Sequence, residues 1–426
     1  MQRYDTYKDS GVKWLGEIPS HWEVLALKHI LKSKKVLVGK HSSQYELLSL
    51  TLKGVVKRDM DNPEGKFPAS FDTYQAVEPN DFILCNFDNE ETPRAVGLSP
   101  YKGMITGAYD VLSRKNPKLT DKYLIYYFLY IDDAKRFKPL YKGLRKTVPF
   151  DSFMSYKIPV PSIKEQDAIV TYLDTATAKI DAAIAQQQKM IDLLNERKQI
   201  IINRAVTKGL NPNAKMKDSG VEWIGEVPEG WDCRRLRFIG EANNGLTYSP
   251  LDMVDEGNGI LVLRSSNIKD GKLIFEDNVF VKEVPQKLMV QKDDIIICSR
   301  NGSASLVGKC AIVEDELQAS YGAFMMRFRS KYNSKYVYYL LTAAISHYKQ
   351  LFATSTINQL TLGIFADIKM SITLDEDEQK CIAEKLDLIC GKLDTYIGIC
   401  NTQISLLQER KQIIINEVVT GKVKVV

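Results

Sequence analysis

Leu193 to Thr207 reads LLNERKQIIINRAVT and Leu406 to Thr420 reads LLQERKQIIINEVVT, identical at twelve of fifteen positions at an offset of 213. A second echo sets KDSGVKWLGEIPSHWEV, Lys8 to Val24, against KDSGVEWIGEVPEGWDC, Lys217 to Cys233, identical at ten of seventeen positions at an offset of 209. Two such echoes at nearly one spacing make the chain a tandem duplication. Weaker echoes fall between them at 213: DFILCN from Asp81 against DIIICS from Asp294, and DKYLIYY from Asp121 against SKYVYYL from Ser334. The offset grows by four before DFILCN, so the second copy carries a net four extra residues in its variable part, where loops differ.

The end of each copy reads as one long helix. In the first, Ile169, Leu173, Ala176, Ile180, Ile184, Ile191, Leu194, Ile201 and Ala205 recur at spacings dominated by three, four and seven. In the second, Ile382, Leu386, Ile389, Leu393, Ile397, Ile404, Leu407, Ile414 and Val418 repeat the pattern. Such spacing places one apolar stripe on a helix. Neither run contains proline, and about forty residues at 1.5 Å rise would extend roughly 60 Å. A helix of that length needs a long partner, and the simplest one is the other copy. The expectation is an intramolecular antiparallel coiled coil, with Gln187, Lys198, Cys400 and Lys411 as polar interruptions that help fix register. The competing packing lays each stripe against its own globular domain.

The start of each copy alternates short β-rich runs (ILVLRSS, KLIFEDNVFV, DDIIICSR, CAIVED in the second) with Gly, Asn, Asp and Pro, the signature of an α+β domain. Tyrosine-rich helices are expected at Tyr123 to Tyr130 and Tyr336 to Ala343. Ser162 and Glu165 stand at capping-box spacing before the first long helix. The predicted fold is therefore α+β, a pseudo-twofold tandem repeat of two globular α/β domains separated by the long helices. Expected boundaries are 1–156 and 211–369 for the two globular domains, and 157–210 and 370–426 for the helical spacers.

Composition narrows the function classes. A 426-residue chain with 44% hydrophobic and 26% charged residues is a folded multidomain protein, not a disordered one. Nothing near the N-terminus reads as a signal peptide, and no apolar run approaches the ~18 residues of a membrane span, so a cytoplasmic protein with no membrane partner is expected. Seven scattered cysteines without CxxC spacing fit reduced core thiols, and no metal site is expected. The net charge of +5 is mild, so a duplex-binding surface would concentrate its cations locally or share the work with a partner.

Catalytic signatures are largely missing from the sequence. GxxxxGK[ST] is missing, as are a Gly-rich cofactor loop and an Asn-Pro-Pro-aromatic or Asp-Pro-Pro-aromatic tetrapeptide, and the four histidines show no ligand spacing. Asp59, Asp61, Glu64 and Lys66 imitate a nuclease cluster, but they lie in one Pro/Gly-punctuated loop and read as a turn. What the variable regions do offer is loops that mix Arg or Lys with Ser, Thr, Asn and Gln, groups able to hold phosphates and to pair with base edges. In the first copy these are Thr51 and Lys53, then Asn86, Asn89, Thr92 and Arg94, then Lys142, Arg145, Lys146 and Thr147. In the second they are Arg264, Ser265, Ser266 and Asn267, then Arg300, Asn301 and Ser303, then Thr356, Asn358 and Gln359.

Over its whole length the pattern resembles the specificity subunits of type I restriction and modification systems. The features that carry the resemblance are the two KDSGV openings, Glu165-Gln166 and Glu378-Gln379 at the helix heads, and the two LLxERKQIIIN ends. The resemblance implies that each variable portion is a target-recognition domain reading one half of a split, asymmetric sequence in double-stranded DNA. It implies helices that act as spacer and as dock for two methyltransferase subunits, with restriction and translocase subunits joining for cleavage. It further implies a noncatalytic chain that binds no cofactor, S-adenosylmethionine, ATP and Mg belonging to the partner subunits. The family often carries prolines before each EQ pair; the first copy has IPVPSIKEQ, whereas the second has SITLDEDEQ and a less rigid entry into its helix. The alternative function is a coiled-coil adaptor whose β-rich domains bind proteins rather than DNA. Replacing residues 17 to 155 by the equivalent segment of another member should change one half-site of the methylated motif and leave the other intact; an unchanged motif would refute modular reading.

Overall fold

The computed structural model describes residues 2–12, 14–59, 68, 70–348 and 358–425. Its contacts divide the chain into one unit of residues 1–188 with 401–426 and a second of residues 189–400. Each copy's globular part keeps the beginning of its own long helix and receives the end of the other copy's.

In the first unit a hairpin, Tyr7–Asp9 with Glu17–Pro19, leads to Trp22, which is fully buried. An antiparallel sheet follows with strand order Leu31–Ser33, Asp110–Arg114, Phe82–Leu84, Val96–Leu98. Asp121–Asp133 forms the tyrosine-rich helix, with Thr120 accepting from the Tyr123 N–H at 3.3 Å as N-cap. Tyr123, Leu124, Tyr127, Phe128 and Ile131 face the core because apolar residues recur along one side of it. Glu23–Ala26 pairs with Lys157–Val160, the strand that delivers the chain to the first long helix, Ile163–Lys208.

The second unit repeats this plan. Met216–Asp218 pairs with Glu226–Pro228, and the sheet runs Gly240–Asn244, Met325–Ser330, Ile295–Cys298, Cys310–Ile312. Ser334–Tyr348 is the equivalent helix, and Asp232–Arg235 pairs with Lys369–Ile372 before the second long helix, Glu376–Val419. A further sheet, Met253–Val254, Phe280–Val281, Ile260–Leu263, Ala319–Tyr321, belongs to this copy's larger variable part. KLIFEDNVFV does not form one strand. It breaks into Lys272–Leu273 and Phe280–Val281, because the buried Asn267 amide holds the Ile274 and Glu276 carbonyls and Asp277 takes φ 51°.

The head of each long helix is fixed twice. The capping box at Ser162 is present: its N–H donates to Glu165 Oε2 at 3.1 Å, and the Glu165 N–H returns to Ser162 Oγ at 3.4 Å. Glu165 also accepts from the Trp22 indole at 3.1 Å and lies 2.8 Å from His21. Next to it, the fully buried Gln166 amide donates to the carbonyls of Pro161 and Lys118 and accepts from the Thr120 N–H, at 2.9, 2.7 and 2.8 Å. One amide thus joins the strand end, the loop and the cap of the tyrosine-rich helix. In the second copy Trp231 donates to Glu378 at 2.9 Å, and Gln379 bonds the Thr373 carbonyl and the Asn333 N–H at 2.9 and 3.0 Å. The strand before it matches the first copy at an offset of 212, since Lys369 faces Arg235 where Lys157 faces Ala26. The helix keeps 213, so the second copy inserts one residue between Thr373 and Gln379. Despite its missing prolines, that entry is tied by Thr373 Oγ1 to the Asp375 N–H at 3.2 Å and by Asp375 to the Glu378 N–H at 3.0 Å.

The stripes on the long helices serve both expected packings at once. Ile169, Leu173 and Ile180 share a core with Trp22, Tyr123 and Leu124 of their own copy and with Ile414, Ile415 and Val418 of the other. In the second unit Ile202, Ala205 and Val206 join Trp231, Tyr336, Ile382 and Leu386. Within each unit the helix segments run antiparallel. Lys411 meets Asp181 at 2.7 Å while Gly421 and Glu165 both reach Trp22, and Lys198 meets Asp394 at 2.7 Å while Gly209 and Glu378 both reach Trp231. Gly421 and Gly209 have φ of 74° and 68°, so the backbone can turn off the helix end directly beside each indole. Lys198 and Lys411, the expected register-fixing interruptions, thus receive symmetry-related carboxylates. Gln166→Leu should leave one buried N–H and two carbonyls short of a partner and cost about 2–4 kcal/mol. Asp181→Asn, at a half-exposed pair, should cost about 0–1 kcal/mol. Urea unfolding of the two variants checks the ranking.

Candidate nucleic-acid interface

The second unit gathers residues from three separate loops into one cleft of about 1040 Å³, lined by Arg264, Ser265, Ser266, Arg300, Asn301, Asn358 and Gln359 together with Leu246, Tyr248, Met253 and Phe324. Two elements build it. Ser265–Asn267 is a 3-10 turn following the strand Ile260–Leu263. Arg300–Asn301 pairs antiparallel with Asn358–Gln359, Arg300 opposite Gln359 and Asn301 opposite Asn358. This small ribbon starts where the central strand Ile295–Cys298 ends, with the Leu360 N–H donating to the Ser299 carbonyl at 2.8 Å.

Within the cleft the polar groups differ in how they are held. Arg264 donates to the Asp277 side chain at 2.8 Å and to its carbonyl at 2.6 Å. Asn301 donates to Ser265 Oγ at 3.2 Å and accepts from the Ser303 N–H at 3.0 Å, and Asn358 donates to the Gly302 carbonyl at 3.2 Å. The Arg300 guanidinium lies 5.1 Å over the Phe324 ring, which is 57% exposed. Ser303 pairs with Ser305 at the rim, 2.7 Å apart. Asn267 is not a surface group: it is fully buried and holds the loop from beneath. Thr356 lies outside the described residues, as do Asp61, Glu64 and Lys66.

In the first unit the same pair of segments meets. The Val148 N–H donates to the Asn86 carbonyl and the Asp88 N–H to the Arg145 carbonyl, at 2.8 and 2.7 Å. This docks the turn Lys142–Thr147, closed by reciprocal backbone bonds between its two end residues, against the loop that follows Phe82–Leu84. Arg145 forks onto Asp88 at 2.5 and 3.2 Å and covers the Phe87 ring at 4.6 Å. The hydrogen bonds from Arg145 pull the Asp88 carboxyl below its usual range and hold the guanidinium proton more firmly. Lys138 and Lys146 flank Glu90 at 2.9 and 3.5 Å, and Lys138 chiefly depresses that carboxyl. Both pairs are exposed, so each cation can exchange its carboxylate for a phosphate at small cost. Leu144, at the tip between these cations, is fully exposed.

Other first-copy positions do not join this surface. Asn89 is buried, and Arg94 is mostly buried, paired with Asp133 at 2.9 Å and Asp132 at 3.4 Å on the tyrosine-rich helix. Asp132 is itself buried and accepts from the Ala95 N–H at 2.9 Å, so Arg94 neutralises a core carboxylate. Asn86 donates to Asp110, whose carboxyl is raised by burial. Thr92 anchors the loop through its N–H to the Asp88 carbonyl and its carbonyl to the Lys135 ammonium, at 2.8 and 2.7 Å. Thr51 and Lys53 stand on the separate hairpin Leu48–Thr51 with Gly54–Lys57, where Thr51 closes the turn onto the Gly54 carbonyl at 3.0 Å. Sequence reasoning missed Phe87, Phe324 and Tyr248. In YGAFMMRF the alternation reads as strand, and nothing in it marks Phe324 as outward-facing.

A duplicated α+β protein that holds an arginine over an aromatic ring on matching loop pairs has the surface chemistry of the class that reads nucleic acid. A family model described as type I restriction modification DNA specificity domain matches residues 95–191 and 228–399. The type I restriction enzyme MjaVIII specificity subunit of Methanocaldococcus jannaschii is 24% identical over 440 residues, covering 98% of this chain and 97% of its own. The EcoKI specificity subunit of Escherichia coli K12 is 28% identical over 206 residues, 46% of this chain and 44% of its own. A solved chain from work on complex assembly and conformational transition of the type I R-M system matches with TM-score 0.65 and 14% identity, over 94% of this chain and 98% of that one. The chain belongs to this family: it is a specificity subunit of the type I restriction-modification systems that recognise DNA. Arg94→Ala should leave Asp132 under-compensated, costing about 2–3 kcal/mol in denaturant unfolding while the methylated motif stays the same.

Proposed function

We propose that the chain is the noncatalytic reader of its enzyme, each unit contacting one half of a split, asymmetric duplex target. The observation that carries this is the cleft of the second unit, which draws Arg264, Ser265, Ser266, Arg300, Asn301, Asn358 and Gln359 from three loops onto one surface. Such groups suit direct readout of base edges with phosphate positioning around them. The first unit builds its counterpart on the same two segments but with different side chains, which is why the halves of the target should differ. Base chemistry then falls to partner subunits. Two methyltransferase subunits would bring S-adenosylmethionine, and the restriction and translocase subunits ATP and Mg, all in the cytoplasm.

Leu193, Ile200, Leu406 and Ile413 support a docking role for the helices, since they lie 46–60% exposed at positions repeated with the 213 offset. Apolar groups left bare on both copies suit coverage by like partners. Among the described residues no helix is long and apolar enough to cross a membrane.

The test is to co-express the chain with the methyltransferase subunits of its own system and map modified adenines by single-molecule sequencing. One split, asymmetric motif that vanishes on deletion of this gene is expected. An active methyltransferase whose motif ignores this chain would overturn the reading and favour protein binding by the loop clusters.

A further inference from the structure

Four arginines stand among the loop residues, and three of them are occupied. Arg94 is paired with Asp132 and Asp133, Arg145 with Asp88, and Arg264 with Asp277. Arg300 alone has no carboxylate within ion-pair distance among the described residues; an aromatic face, Phe324, holds its guanidinium at the edge of the cleft. Directly across the two-stranded ribbon stands Gln359, exposed and with no side-chain hydrogen bond among the described residues. Successive strand residues point to opposite faces, so Arg300 and Gln359 share one face and Asn301 and Asn358 the other. The asparagine face is committed to hydrogen bonds with Ser265, Ser303 and Gly302. The other face presents one guanidinium and one carboxamide.

A two-stranded ribbon fits the major groove. There a guanidinium makes paired hydrogen bonds with guanine O6 and N7, and a glutamine carboxamide with adenine N6 and N7. Side chains directly opposite on an antiparallel pair start roughly 5 Å apart at Cβ, against a base-pair rise of about 3.4 Å, so both can engage positions one or two steps apart. We propose that the ribbon of the second unit enters the major groove, with Arg300 reading a guanine and Gln359 an adenine within two base pairs of it. Among the described residues the first unit has no such pair, since Arg145 is forked onto Asp88 beside it. This inference rests on the DNA-reading function proposed above and adds the identity of the bases.

The experiment uses the chain co-expressed with its methyltransferase subunits and maps the motif for the wild type, Arg300→Gln and Gln359→Ala. Arg300→Gln should lower discrimination for one guanine by roughly 10- to 100-fold, leave the other half-site unchanged, and so identify the half that the second unit reads. Gln359→Ala should relax an adenine within two positions of that guanine. An unchanged motif, or uniform loss on all sequences with a shallower salt dependence, would make Arg300 a phosphate contact and overturn the assignment. Should Arg300→Gln abolish methylation, the wild-type complex decides the matter: 7-deazaguanine, which lacks N7, placed singly at each guanine of the motif should weaken binding about tenfold at one position in one half. Equal binding at every position overturns the proposal. A motif that depends on this chain but lacks a guanine and adenine so spaced refutes this inference alone, whereas a motif independent of the chain refutes the DNA-reading function itself.

Discussion

A buried carboxamide at the head of each long helix organises everything around it. Gln166 bonds a strand end, a loop carbonyl and the first free N–H of the tyrosine-rich helix, and Gln379 repeats the strand bond and the bond to the helix's first N–H. Because an unpaired buried amide or carbonyl is costly, these bonds leave little freedom in how a globular domain meets its helix. The neighbouring glutamate adds an indole, and the helix end contributed by the other copy closes on that same indole through a glycine.

Around this joint the two copies are chemically matched. Tyr126 donates to Asp174 at 2.7 Å and Lys122 reaches it at 3.2 Å; Tyr339 and Lys335 do the same to Asp387, at 2.7 and 2.8 Å. Each central sheet opens on a buried aspartate that accepts a backbone N–H from three residues earlier: Asp81 from Glu78 and Asp294 from Gln291, both at 2.7 Å. The cation that neutralises it differs, Lys34 in one and Arg329 in the other. Such a frame tolerates variable loops because the bonds that hold it lie elsewhere.

The loops use this tolerance. Both loop clusters grow from the segment after the central strand and the segment that returns to the frame at a buried residue, Val148 or Leu360. One ends in a short cationic turn, the other in a two-stranded ribbon beside a cleft. An arginine lies against an aromatic ring in each, yet only one of these cations is neutralised by a carboxylate among the described residues.

What the sequence by itself determined was everything that repeats. Echoes at 209 and 213 gave the duplication, three-and-four spacing gave the long helices, and serine three residues before glutamate gave a cap, because each of these is a local or periodic constraint. The side of the helix stripe that met its own domain and the side that met the other copy were decided by tertiary structure, since one stripe served both. So was the sorting of the loop residues. Arg94, Asn89 and Asn267 have the same composition cues as Arg300, Asn301 and Gln359, but burial and a nearby carboxylate depend on residues 9 to 38 positions away. Local sequence cannot weigh those contacts. Only the folded chain shows which polar side chains are used up in holding a loop and which remain free to bind.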